Sequence, residues 1–413
     1  MDSPKITSVR TRDARFPLQP GEGTDSVHSD PVYSYAVTEL HTDADHVGIG
    51  LAFTLGVGNE LVCQAIDTLA EIVEGRDIES LMREYGAVSR RIADHPQMRW
   101  LGPHKGVVHL ALASITNACF DLWSKSRGVP LWRLLVDLAP SDVLKTLDLS
   151  YLEDALTGEE AHAILTAGHA DVAERLPRAA DGYPGYDTSI GWFNFSDEDV
   201  SRRTAASVAQ GFDAVKLKVG SPDGERDVRR AEMVREIIGP DALFMLDVNQ
   251  QWTLPQALDM CERLAGVAPY WVEEPTHPDD VAAHQLLAEA IAPVRVAAGE
   301  HVPHRILFKN FLAAGAMQIC QVDCTRVAGV SEFIVVSLLA RKYGAPVFPH
   351  VGDMGQIHQH LVLYNHIALG HERLFLEYIP HLRAHFTHPA NVTDGHYATP
   401  MEPGSSSDLK PTA

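Results

Sequence analysis

Seven ionisable residues, Lys218, Asp247, Glu273, Glu300, Asp323, His350 and Glu377, recur at near-regular intervals, and each closes a short apolar run that leads into a helix-like segment. By subtraction the gaps are 29, 26, 27, 23, 27 and 27 residues, each the length of one strand plus one helix. When consecutive βα units each deliver a charged residue at the C-terminal end of a strand, a (β/α) barrel gathers them at one mouth, the face on which barrel enzymes do their chemistry. The runs FDAVKLKVG, LFMLD, YWVE, RVAAGE, MQICQVD, PVFPH and LFLE are nearly continuous in apolar residues, as a parallel sheet buried on both faces requires.

The first 140 residues follow a different pattern. YSYAVTELHT (33–42) and HVGIGLAFTLG (46–56) read as antiparallel strands, and helical stretches follow near 59–74 and 104–126, so residues 1–140 are expected to form an α+β capping domain. Within it the polar stretch LQPGEGTDSVHS predicts a mobile lid loop near 18–30. Residues 141–380 are expected to form the barrel, 381–400 to return to the cap, and the Pro/Ser/Gly tail 401–413 to be disordered.

With 413 residues, 45% hydrophobic and 22% charged, the chain is long enough for a barrel and a second domain. No apolar run approaches the ~18 residues of a membrane span, and MDSPKITSVRTRD lacks an apolar leader core, so a cytoplasmic enzyme is expected. Five cysteines without a CxxC motif read as reduced thiols, with Cys324 alone near the predicted mouth. A net charge of -21 argues against nucleic acid and anionic membrane partners. A homo-oligomer is expected.

Three carboxylates from adjacent strands, Asp247, Glu273 and Glu300, would repel one another without a cation between them. All-oxygen ligation favours a hard ion such as Mg²⁺ over zinc. Glu273 is preferred to Glu274 because alternation along YWVEE keeps it on one face with Trp271. Lys216 and Lys218, two apart on one strand, point the same way, and their repulsion with partial desolvation is expected to lower one pKa towards that of a working base. His350 ends its strand, and Asp323 on the preceding unit is placed to orient its ring.

The segments KLKVG, LDVNQQW, WVEEPTHPDD, AAGEH, QVDCTRVAGVSE and FPH, in this order and spacing, resemble the enolase superfamily, mandelate racemase subgroup. Longer stretches, among them GLAFTLGVGNELV, FDLWSKSRGVPLWRLL and GYDTSIGWFNFSDE, are similar to the L-fuconate dehydratases. The resemblance implies a modified TIM barrel, (β/α)7β, behind the cap, with Mg²⁺ on Asp247, Glu273 and Glu300. It implies Lys218 as the base at the carbon alpha to a carboxylate, tuned by Lys216, with His350 and Asp323 on the other face and a protonated Glu377 stabilising the enolate oxygen. Asn249 and His301 would contact substrate.

The implied reaction is loss of water from a sugar acid to give a 2-keto-3-deoxy acid, from L-fuconate or a related six-carbon monoacid such as L-galactonate. The same residues would also suit a racemase or epimerase, or an inactive relative that only binds, and Lys218 and His350 could exchange the roles of base and acid. After His350 the stretch VGDMGQIHQH departs from the family pattern and brings Asp353 towards the expected distal pocket. There a further acid would favour a monoacid over a diacid by like-charge repulsion.

Overall fold

In the computed structural model, which describes residues 3–411, the recurring runs are parallel strands closed into a barrel. The order along the sheet is β4 (Tyr183–Gly191), β5 (Ala214–Lys218), β6 (Leu243–Asp247), β7 (Trp271–Glu273), β8 (Arg295–Ala298) and β9 (Ile319–Cys320). The seventh position is reduced to one bridge from Cys320 to Val347. An eighth strand, β10 (Leu376–Tyr378), pairs in parallel with β4 and completes (β/α)7β.

Seven helices alternate with these strands: Asp197–Ala209, Gly224–Ile238, Leu254–Leu264, Val281–Ala290, Arg305–Ala313, Gly329–Tyr343 and Ile357–Leu369. Their starts follow from local chemistry. Ser196, Asp223 and Asp280 each accept a backbone N–H of the first turn, and Thr253 with Gln256 forms a capping box.

Inward positions on each strand alternate, which stratifies the barrel interior. Ala214, Met245, Trp271, Ala297, Ile319, Phe348 and Phe375 form a buried apolar layer with Tyr186. The charged residues lie beyond it towards the strand ends. Register aligns them, since Lys218 pairs with Asp247, and Asp247 with Glu273, on neighbouring strands. The sequence series began one strand late: β4 carries Asp187 and Thr188 but no member of the charged series, so its unit was not recognised.

The cap is an antiparallel sheet of β1 (Ile6–Pro17), β2 (Val32–Thr42) and β3 (Val47–Thr54) packed on the helix Gly106–Ser126. The approach is backbone to backbone. A Cβ on Gly50 would lie 1.9 Å from the Ser114 carbonyl oxygen, and one on Gly48 2.5 Å from that of Ala118. Contrary to the sequence expectation, this helix is long and apolar enough to cross a membrane, but 83% of its apolar window is buried inside the protein. Asn117 ties it to both domains by donating to the carbonyls of Leu51 and Cys324.

Of the tail 401–413 expected to be disordered, residues 401–411 are instead built into the cap, and 412–413 lie outside the described residues. The Leu131 N–H donates to the Gly404 carbonyl, Ser405 to Ser407 are buried, Asp408 pairs with Lys125 at 2.8 Å, and Leu409 bridges Phe386. Its polar composition misleads because its partners are the buried Asp121 and the adjoining Lys125 of the core helix, whose charges need polar company. The 18–30 loop lies on the barrel mouth: Ser26 donates to the Val248 carbonyl, and Thr24 bonds the backbone of Phe193 and Asn194.

Candidate active site

Where the strand ends meet the cap, a cavity of about 290 Å³ is lined by Lys218, Glu300, His301, His350 and Glu377 from the barrel and by Asp25, His28, Tyr33 and Phe53 from the cap. Lys218 Nζ lies 2.6 Å from Asp247 and donates to Asn249 Oδ1 at 3.2 Å. Asn249 adopts φ 49°, and its contact is with Lys218 and not with the cavity. Lys216 is fully buried, with Nζ 2.6 Å from Glu273, 2.7 Å from Glu377 and 3.5 Å from Asp247. It therefore links carboxylates beneath the cavity and does not line it.

Asp247, Glu273 and Glu300 bring one carboxylate oxygen each within 4.8 Å of one another. Two features show that this set fits a divalent cation. Burial, reinforced by Asp247, pushes Glu273 up to about 8 although Lys216 pairs with it at 2.6 Å, a repulsion that a cation between the carboxylates would relieve. Glu300 Oε2 is buried and accepts no hydrogen bond, meeting only the His350 ring as an ion pair at 3.3 Å among the described residues. Trp271 Nε1 fixes the other Glu273 oxygen at 2.9 Å, consistent with Glu273 and not Glu274 facing inward. Glu274 turns away at φ 43° to meet His301 at 3.0 Å.

His350 Nδ1 lies 2.8 Å from Asp323 Oδ2, and its Nε2 lies 3.3 Å from Glu300. Burial opposes charge on this ring, but Glu300 and Asp323 outweigh it and hold the pKa up at about 9. Asp323 is saturated, its Oδ1 accepting from the Thr325 N–H and hydroxyl at 2.7 Å and lying 2.8 Å from His358 Nε2. His301, beside Glu274 and 3.2 Å from Glu300, is raised to about 10 against its burial.

Three expectations are revised, and the one cysteine near the mouth is placed. Lys218 is not depressed: burial would lower it, but Asp247 prevails and holds it above the ordinary lysine range. Glu377, expected to be a protonated acid, has its carboxyl drawn below the ordinary glutamate value because Lys216 outweighs its burial, while Thr188 donates to it at 2.6 Å and the Val351 N–H at 3.0 Å. Asp353 does not line the cavity. Its carboxylate folds back onto the Gly355 N–H and borders a separate void of about 20 Å³, because the turn after His350 closes on itself. Cys324 is fully buried with its thiol pushed far up by burial, and it has no place in the cavity.

Sequence reasoning missed Thr188, Asp25, His28, Tyr33, His358 and Arg326. Thr188 was lost with β4. Asp25 and His28, two of the four ionisable residues of the loop read as a lid, lie 2.9 Å apart, and an acid and a histidine three apart in so polar a loop were the available signal.

A family model described as "Enolase C-terminal domain-like" matches residues 199–413. L-galactonate dehydratase of Hypocrea jecorina is 39% identical over 420 aligned residues, covering 100% of this chain and 93% of that protein. The crystal structure of human mitochondrial enolase superfamily member 1 superposes with a TM-score of 0.96 at 38% identity, covering 99% of this chain and 95% of that one. A racemase from Streptomyces coelicolor with bound magnesium gives a TM-score of 0.76 at 25% identity, with coverage of 98% and 97%. With its eight-stranded barrel, its cap and its strand-end carboxylates, this chain belongs to the enolase superfamily.

Proposed function

We propose that the chain is a Mg²⁺-dependent acid-sugar dehydratase that acts on a six-carbon monoacid, L-galactonate or L-fuconate. The observation that carries this is the pairing of Lys218 and His350, on the second and seventh of eight strand positions, facing one cavity beside a three-carboxylate set. Asp247, Glu273 and Glu300 would hold Mg²⁺, which when bound supplies positive charge for the substrate carboxylate as negative charge builds up beside it.

Lys218 then takes the α-proton. Its high proton affinity reflects the charge of Asp247, which a cation held by Asp247, Glu273 and Glu300 would share, leaving the amine of Lys218 free to act as a base. His350, held by Asp323, hands a proton to the departing 3-hydroxyl. Lys216 keeps Glu273 and Glu377 in place, and Thr188 orients Glu377 towards the cavity. The cap loop excludes water.

The similarity to L-galactonate dehydratase supports a monoacid. Asp25 takes over the discriminating role first assigned to Asp353, because it lines the cavity as an ionised carboxylate and would repel a second one on the substrate. Arg326, in the same wall, is the observation that favours a diacid. A racemase would use the same lysine and histidine without losing water.

Incubation with L-galactonate, L-fuconate and galactarate in the presence of MgCl₂, with 2-keto acid trapped by semicarbazide, separates these readings. A keto acid from a monoacid, abolished by EDTA, is the expected result. Exchange of the α-proton with no keto acid from any substrate would overturn the dehydratase.

A further inference from the structure

At the opposite end of the barrel, where the strands begin, a cavity of about 630 Å³ has Arg295, Arg341 and Arg373 in its wall, with Glu372 as its one carboxylate among the described residues. In a chain with 55 acidic and 34 basic residues, three guanidiniums around a single carboxylate invert the local charge. His371, also in the wall, is pushed down to about 4 by burial and by Arg341, so it adds no cation and the positive charge belongs to the arginines.

Aromatic rings hold two of the guanidiniums. Arg295 Cζ stands 4.7 Å from the centroid of the Tyr270 ring, and Arg373 Cζ stands 5.6 Å from the same centroid and 4.7 Å from that of Phe375. Arg373 also donates to the Tyr270 hydroxyl at 3.2 Å. Apart from that bond, among the described residues none of the three guanidiniums is hydrogen-bonded or ion-paired. Stacking orients a guanidinium plane while leaving its N–H fork open. An open fork matches the terminal oxygens of a phosphate two at a time.

We propose that this cavity binds a small phosphate-bearing anion, distinct from the sugar acid at the mouth. Its volume suits a metabolite-sized molecule. Three forks around one space suit the three terminal oxygens of a phosphate better than the two of a carboxylate.

The test is titration calorimetry of the full chain with sodium pyrophosphate, at constant ionic strength and in EDTA so that no metal draws the probe to the mouth. The wild type is expected to bind one equivalent, and Arg295→Gln and Arg373→Gln to weaken binding at least tenfold while Arg373→Lys loses less. Dehydration with Mg²⁺ and no pyrophosphate should be unchanged in all three variants, which also shows that they fold. Four outcomes would overturn the proposal. These are no saturable binding, equal binding by the Gln variants, citrate binding as tightly as pyrophosphate, or a change in subunit number in the Gln variants with unaltered pyrophosphate affinity.

Discussion

Replacing Asp323 with Asn keeps the shape of the His350 support and removes its charge. Asp323 Oδ1 accepts the Thr325 N–H at 2.7 Å, and a backbone N–H cannot reverse its role, so the asparagine oxygen must occupy that side. The new NH₂ then falls where Oδ2 now faces His350 Nδ1 at 2.8 Å. Two donors cannot face each other. Nδ1 is forced to accept, the ring becomes the Nε2–H tautomer, and the imidazolium is lost.

A neutral imidazole cannot protonate a leaving hydroxyl effectively, and a positioned general acid is worth about 10²- to 10⁴-fold. Turnover of Asp323→Asn should therefore fall by about 10³-fold, on the order of 4 kcal/mol in the barrier. Lys218 does not touch Asp323, so exchange of the α-proton in D₂O, followed by proton NMR, should survive within about tenfold. The wild type should lose kcat as pH rises through the pKa of His350, which Glu300 and Asp323 raise against its burial and which Mg²⁺ on Glu300 would bring down towards the ordinary histidine value, because the acid form disappears above it. In the variant that alkaline limb should vanish. Turnover within tenfold of wild type, or exchange lost in proportion to turnover, would refute the reasoning.

Glu300→Gln removes one of three carboxylate ligands, and Mg²⁺ affinity measured by calorimetry should drop more than tenfold while circular dichroism stays native. Full Mg²⁺ binding in that variant would exclude Glu300 from the metal set. Asp353→Asn should leave the ranking of L-galactonate, L-fuconate and galactarate unchanged, because its carboxylate borders a void apart from the cavity. A shift of more than threefold in relative kcat/KM would return Asp353 to the substrate. Gly50→Ala drives a Cβ to within 1.9 Å of the Ser114 carbonyl and should cost about 3 kcal/mol or more, lowering Tm by several degrees. An unchanged Tm would mean that the sheet and helix can separate freely.

The barrel was legible because its chemistry is periodic. Each charged strand end marks one βα unit, and in-register pairing of Lys218, Asp247 and Glu273 turns that spacing into a cluster. Where a unit lacked the charged mark, as in β4, periodicity had nothing to count. Identity was readable where it follows from which face a side chain occupies, as with Glu273 against Glu274. Protonation was not, because it depends on distances between strands: Lys218 is governed by an Asp247 oxygen 2.6 Å away, and Glu377 by Lys216 at 2.7 Å. The tail and Asp353 show a related gap. Composition reports whether a segment is polar, but not whether a buried carboxylate or a neighbouring N–H waits to meet it.

The anchoring of the tail bears on how the protein is made. Asp121, at the centre of the cap, receives the Ser405 N–H and hydroxyl from 284 residues further along. Ribosomes add about 5–20 residues per second. For some tens of seconds, then, each new chain carries a cap helix whose buried acid lacks its last partners, beside a barrel that has not yet closed. That half-made species, with the barrel-facing side of its apolar helix Gly106–Ser126 still uncovered, is where aggregation should begin during overexpression.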